Sequence, residues 1–279
     1  MGKIIVTHVS CDLDGITCIW LIRKYLPGWQ KAEIIFVPAG TTLNNRPADE
    51  DPNILHVDTG MGKFDHHQIK DRHLSAAKRV LQHLEKEKLI KDKEVEAIRR
   101  IVEYVANIDN FGEVFFPEPT LDIYDFMLHQ IIEGLRATRG DDSERCSLGI
   151  ELLEAELQIF KNKLKAEEEI KKGLVFKSKY GNSLGMETRN EEAIKLALKS
   201  GYLLVVRKDP ERGFVRIKTL PDDKIDLTPV YKSVKKADPG ADWFLHVSKN
   251  MLLNGSAKNP KVIASKLSLK QVIDLIKKI

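Results

Sequence analysis

Cysteine is scarce: the 279-residue chain carries three, Cys11, Cys18 and Cys146. Their spacing forms no disulfide framework, which argues against a cystine-stapled secreted scaffold and for a reducing compartment. Long apolar runs are missing as well, none approaching the ~18 residues that suggest a membrane span. Met1-Gly2-Lys3 leads straight into a short apolar run rather than a signal peptide, so the expectation is a cytoplasmic protein without membrane contact. Internal repeats and low-complexity tracts are absent, which excludes solenoids and biased, unfolded tails.

What remains is ordinary globular material, 42% hydrophobic and 31% charged, long enough that two domains are the default. The net charge of +4 hides an asymmetry. Residues 1–172 hold 24 Lys and Arg against 30 Asp and Glu, whereas residues 173–279 hold 21 against 11. The second half is therefore suited to a polyanion, although a basic surface can also be simply solvated.

The densest chemistry lies in Thr7-His8-Val9-Ser10-Cys11-Asp12-Leu13-Asp14-Gly15. Ile4-Ile5-Val6 before it reads as a buried strand, and Ile16, Ile19, Trp20 and Leu21 after it as a helix. His8, Asp12 and Asp14 then occupy a strand-to-helix loop at the carboxyl edge of a sheet, where open α/β folds bind ligands. Imidazole with two alternate carboxylates suits hard divalent cations. A structural reading also exists: Asp14 caps the helix and Asp12 shapes a turn. Cys11 reads as a small packing residue, since a thiolate favours softer metals.

Three further stretches repeat the theme. Ile54-Leu55-His56-Val57-Asp58-Thr59-Gly60 is a strand ending in Asp, Phe64-Asp65-His66-His67-Gln68 follows, and Val105-Ala106-Asn107-Ile108-Asp109 ends a helix in another Asp. Four carboxylates, Asp12, Asp14, Asp58 and Asp109, would repel strongly in one cleft unless divalent ions neutralised them.

His-x3-Asp-x-Asp, Asp, Asp-His-His and Asp, in that order over about the first 110 residues, resemble the four motifs of the DHH phosphoesterase superfamily. That group includes single-strand exonucleases, oligoribonucleases and family II pyrophosphatases. Ser75-Ala76-Ala77 opening a helix is similar to the same pattern. In the second half, Thr219-Leu220-Pro221, the Phe-x-His strand around His246 and the glycine loop after Asn254 resemble the C-terminal part of the melanocyte-proliferating-gene exonuclease family. The resemblance implies that His8, Asp12 and Asp58 hold one ion and that Asp14, Asp58, His66 and Asp109 hold a second, with Asp58 bridging. The mixed donor set suits Mn²⁺, with Mg²⁺ or Co²⁺ as alternatives. His67 would then face the substrate phosphate and Asp65 would orient a ligand.

The alternation of strands (3–9, 32–38, 53–58) and helices (15–25, 75–88, 92–106) predicts a doubly wound parallel α/β sheet. Helices are expected over 121–137 and 143–172, the latter a linker. A smaller α+β domain follows, with a hairpin of 203–207 and 214–218, a strand at 243–247 and a helix over 267–279. The expected domains are 1–140 (metal binding and catalysis), 141–172 (linker helix) and 173–279 (basic, substrate binding). Arg216 and Lys218 share a strand face, and Asn254, Gly255, Ser256 and Lys258 form a polar loop, so both could hold phosphates of a single strand. His246 divides between core packing and phosphate contact. His73, His129, Arg136 and Arg139 could approach the cleft, but packing or helix-end roles explain them as well. The expected activity is hydrolysis of short single-stranded oligonucleotides to mononucleotides. Its rivals are a phosphatase of small nucleotides or pyrophosphate and a non-catalytic nucleic-acid-binding module. The pattern leaves oligomeric state open.

Overall fold

The computed structural model describes residues 2–255, 259 and 261–279. The chain divides into two compact units, Met1–Lys161 and Asn162–Ile279. No helix among the described residues is long and apolar enough to cross a membrane.

In the first unit, β1 (Ile4–His8) is the centre of a parallel sheet ordered β2-β1-β3, with β2 at Glu33–Val37 and β3 at Ile54–His56. Ile5, Val6 and Thr7 are fully buried, as an inner parallel strand requires. Between β1 and β2 runs α1 (Leu13–Tyr25), buried without interruption from Leu13 to Ile22. Such a helix has no polar face to give to water, and it packs against both α2 (Ala76–Lys86) and α3 (Asp92–Asp109). Because β2 and β3 flank β1 on opposite sides, the loops after β1 and β3 meet at the point where strand order reverses. A parallel bridge between Val57 and Phe64 carries the sheet beyond β3.

The helix expected over 121–137 is two pieces. A 3₁₀ segment, Asp122–Phe126, is followed by α4 (Leu128–Thr138), with Met127 between them in an extended conformation. The long helix α5 (Asp142–Lys171) is continuous and serves both units. Leu153 and Leu157 are buried, Glu154 accepts from Trp20 Nε1 at 2.7 Å, and Lys161 meets Glu94 at 2.7 Å in the first unit. Ala166 belongs to a core cluster of the second.

The second unit is a six-stranded mixed sheet ordered β4-β5-β6-β7-β9-β8. Its strands are β4 (Leu174–Ser178), β5 (Gly181–Glu187), β6 (Leu204–Lys208), β7 (Val215–Thr219), β8 (Phe244–Leu245) and β9 (Met251–Asn254). Among the described residues of this sheet only β5 and β6 pair in parallel, joined through α6 (Glu192–Lys199). Leu204, Val206, Val215 and Ile217 face a core shared with α7 (Thr228–Ala237) and α8 (Leu269–Lys277). Val205 faces α6 on the other side. The hairpin forms with β6 and β7 antiparallel, while the strand expected over 243–247 shortens to two residues.

Candidate metal centre

The first loop folds by capping. Asp12 is the N-cap of α1, and its Oδ1 accepts from the backbone N–H groups of Asp14 and Gly15 at 3.0 and 3.2 Å. Asp14, 2% exposed, reaches across to the start of α2. Its two oxygens accept from Ala76 N at 2.7 Å and Ala77 N at 2.9 Å. A carboxylate seated on a helix N-terminus satisfies two orphan donors and takes the positive end of the dipole. Gly15 sits where a Cβ would lie 2.6 Å from Cys11 Sγ and 3.0 Å from Thr7 Oγ1, so the loop closes only around glycine.

Asp58 holds a left-handed backbone, φ 55°, which Asp tolerates better than most residues. Its Oδ2 pairs with His8 Nε2 at 3.2 Å, while His8 Nδ1 lies 2.9 Å from the Val9 carbonyl. From the other side comes His66, whose Nε2 stands 3.6 Å from Asp58 Oδ1, 3.4 Å from Asp109 Oδ2 and 3.9 Å from Asp14 Oδ2. None of the three contacts is a hydrogen bond, and Asp58 Oδ1, His66 Nε2 and Asp109 Oδ2 are buried without a hydrogen-bond partner among the described residues. Three overlapping groups therefore bring potential ligand atoms within 4.8 Å of one another: His8, Asp12 and Asp58; Asp14, His66 and Asp109; and Asp58, His66 and His67.

The electrostatics show a site short of positive charge. Burial, then Asp58 and Asp109, drive the Asp14 carboxyl well above its ordinary range. Burial and Asp58 raise Asp12, and burial lifts Asp109 to about 6 against the pull of His66. Burial would also raise Asp58, but the His66 and His8 imidazoles overcome it and hold that carboxyl below its usual value. In return Asp58 raises His8 to about 9, and it does the same to His66. Orphaned buried oxygens and strained carboxylates beside imidazoles form a donor set that divalent cations fit.

Asp65 is buried and accepts from Met61 N at 2.6 Å and His67 N at 3.1 Å. Burial alone would raise its carboxyl, but these N–H groups and the His67 ring bring it below the ordinary range. Ionised, it accepts from His67 Nδ1 at 2.6 Å, which leaves Nε2 of the exposed His67 ring free to meet a ligand.

The remaining sequence-derived positions divide. Arg216 and Lys218 do share the sheet face toward α6. Arg216 lies directly opposite Arg207 across β6 and β7, a like-charge pairing that sheets normally avoid. Arg207 is 4% exposed, and Glu191 is the carboxylate that ion-pairs with both guanidiniums. Burial, then Arg216, lowers the Lys218 ammonium. Asn254 has another use: it is buried, its amide donates to Asp242 O and Ile263 O at 2.9 Å each, and its Oδ1 accepts from Ser265 N. Gly255 has φ 79°, and a Cβ there would strike the Phe214 ring. Ser256 and Lys258 lie outside the described residues. His246 Nδ1 is 2.9 Å from Ser248 Oγ. His129 is held between Tyr104 Oη at 2.6 Å and Glu113 at 3.5 Å, and Arg136 and Arg139 pair with Glu133 and Glu144.

Sequence reasoning missed Arg207, Glu191 and Asp142, whose Oδ2 accepts from Ser10 N at 3.0 Å. Of these only Arg207 left a trace, as a charge closing the apolar run 203–206.

No family model and no curated protein matches the chain. Among solved structures it is similar to RecJ from Thermus thermophilus in complex with Mg²⁺, at 14% identity and a TM-score of 0.33. That alignment covers 99% of this chain and 49% of the other, so the chain spans about half the length of that RecJ. It is likewise similar to a DHH domain from a member of a family of ribosomal proteins, at 14% identity, TM-score 0.33 and coverages of 99% and 86%. An exopolyphosphatase-related protein from Bacteroides fragilis follows at 12% identity, TM-score 0.28 and coverages of 99% and 91%. Likeness at these scores carries no functional argument. The DHH resemblance rests on the four motifs and on the centre they build.

Proposed function

We propose that the chain is a metal-dependent phosphoesterase that hydrolyses short single-stranded oligonucleotides to mononucleotides. The observation that supports this reading is the convergence of His8, Asp12, Asp14, Asp58, His66 and Asp109 around buried ligand atoms that have no partner of their own. His8, Asp12 and Asp58 would hold one divalent ion, and Asp14, Asp58, His66 and Asp109 a second, with Mn²⁺ the best match to mixed imidazole and carboxylate donors. Such ions, when bound, supply Lewis-acid polarisation of a phosphoryl oxygen and a water of lowered pKa.

The chain's own groups do the positioning. Asp65 fixes the His67 ring through Nδ1, so that Nε2 can meet a phosphate oxygen or the leaving group. The two helix N-termini held by Asp12 and Asp14 keep those carboxylates rigid before any ligand arrives.

The second unit supplies polyanion affinity, with 25 Lys and Arg against 14 Asp and Glu over 162–279. Arg216 and Lys218 are a cationic face, with the buried Arg207 behind it, on which a phosphate would displace Glu191 from Arg216. The test is Mn²⁺-dependent turnover of a panel running from pyrophosphate, 3′-phosphoadenosine phosphate and cyclic dinucleotides through dinucleotides to longer RNA and DNA. Fastest turnover of short linear strands is the expected result. Turnover confined to pyrophosphate or a cyclic dinucleotide would replace this reading with a small-molecule phosphatase. Absence of both bound metal and turnover would leave a binding module.

A further inference from the structure

A second pocket lies beside the centre, built from the same two stretches of chain. The stretch that carries His66 and His67 continues through Arg72 and His73, and the one that ends α3 in Asp109 continues through Asn110, Gly112 and Phe115. Asn110 ties the two together, donating from Nδ2 to Leu74 O at 2.9 Å and to Ala106 O at 2.8 Å. Between them is a cavity of about 310 Å³, lined by Arg72, His73, Asn107, Asn110, Gly112 and Phe115. That is the low end of small-ligand sites, which run from roughly 300 to 1,000 Å³.

Its lining sets an exposed aromatic ring beside uncommitted polar groups. Phe115 is 87% exposed and Phe111, just outside, 71%. Phe111 also adopts a left-handed backbone, φ 62°, an unfavourable conformation for an aromatic residue that no burial repays. Gly112 leaves the space that the Asn107 amide occupies, and a Cβ there would fall on that amide. Among the described residues the Asn107 amide makes no hydrogen bond and Arg72 no ion pair. Glu103 is the carboxylate at the rim, and it is engaged by Lys78 at 2.8 Å.

An exposed aromatic ring, a free amide and a free guanidinium around a base-sized space match one ligand class. We infer that this pocket binds a nucleobase of the substrate, stacked on Phe115 and read at its edge by Asn107, with Arg72 on an adjoining phosphate. The inference rests on the proposed nuclease reading and adds a subsite to it. An Asn amide offers one donor and one acceptor, the complement of adenine N7 and N6–H, so adenine is the preferred base. Stacking tolerates the other bases, because each has a π face.

The experiment compares the wild type with Phe115→Ala and Asn107→Ala on short oligonucleotides. A matched series carries one abasic nucleotide, moved one position at a time. Loss of a stacked base is expected to raise KM about ten-fold or more with kcat little changed. The penalty should appear for one abasic position in the wild type and vanish in Phe115→Ala. Bound metal and Tm should match the wild type, since Phe115 and Asn107 are exposed and hold no ligand atom of the centre. Equal KM values for all three proteins on intact strands would overturn the inference. So would a wild-type dimer that Phe115→Ala splits without changing KM, because the ring would then serve a subunit interface. If the metal-loaded wild type cleaves no oligonucleotide, the nuclease reading fails on its own. Binding of adenosine monophosphate, lost in Phe115→Ala, would then still support the pocket, and its absence in the wild type would sink it.

Discussion

Asp58→Asn is the most informative single change, because Asp58 serves both sides of the centre. Asn keeps the volume and tolerates the left-handed backbone at this position, so the fold should survive. What disappears is charge. In the metal-free protein Asp58 is the main reason that His8 titrates at about 9 rather than 6.5. At 1.36 kcal/mol per pH unit that difference corresponds to about 3 kcal/mol of net stabilisation of the imidazolium, the sum of what Asp58, the Val9 carbonyl and Asp12 add and what burial takes away. The sign follows from linkage. A raised imidazole pKa stabilises the folded state fully below pH 6.5, and that contribution fades as pH climbs through about 9. After chelation, wild-type stability should therefore fall between about pH 7 and 9, and the slope should flatten in the variant. In an NMR titration the His8 ring should move back toward 6.5 in Asp58→Asn. Mn²⁺ affinity measured by calorimetry should drop by more than the ~10–100-fold that loss of a supporting group costs, and for both ions. A His8 titration still near 9, or two ions bound with wild-type affinity, would refute the shared-ligand assignment.

Other expectations are narrower. Gly15→Ala forces a Cβ to 2.6 Å from Cys11 Sγ, so it should cost about 1–3 kcal/mol in chemical denaturation and weaken metal binding through the displaced loop. Because His8 and His66 are both raised to about 9, each must give up a proton to a metal near neutrality; calorimetry in buffers of different ionisation enthalpy should show proton release, and apparent affinity should climb from about pH 7 to 9. Glu191→Gln removes the carboxylate shared by Arg207 and Arg216, so oligonucleotide affinity should rise and its salt dependence steepen. An unchanged salt slope in that variant would place the strand elsewhere.

The parts of this molecule that sequence made legible are those where local pattern and local structure coincide. β1, α1, β3 and α3 follow directly from apolar runs of strand or helix period, and the four motifs converge because strand order places their loops together. Helix 121–137 was harder, since the break at Met127 needs neither Pro nor Gly. In the second unit β4, β5, β9, α6 and α7 carry weaker signals: the helices are only eight and ten residues long, and β5 mixes Gly181, Asn182, Ser183 and Gly185 into its run. Asn254 shows the commonest trap. A polar residue before glycine reads as a loop that could hold phosphate, yet it ends β9 and spends its whole amide on three backbone groups. Composition cannot say whether a polar side chain faces a ligand or its own backbone.

The same ambiguity in the first motif has a different resolution. Capping and metal ligation look like competing readings of Asp12 and Asp14, but the geometry makes them cooperative. A carboxylate has more lone pairs than the backbone donors at a helix end consume, so one oxygen can be fixed by N–H groups and still present an edge to the centre. The helix N-termini also carry partial positive charge, which offsets part of the repulsion among Asp12, Asp14, Asp58 and Asp109 when no cation is bound. The cap therefore lets buried carboxylates exist in the folded chain before a metal arrives, and it holds them rigid for one. On this argument Asp14→Asn should injure twice. Its amide could still accept from Ala76 or Ala77, but its second position would present a donor where an acceptor is needed. α2 should loosen at its first turn, visible as faster amide exchange at Ala76 and Ala77, while one ion is lost. Protection of those amides unchanged in Asp14→Asn would show that the caps do not depend on the charge, and the two roles would have to be separated.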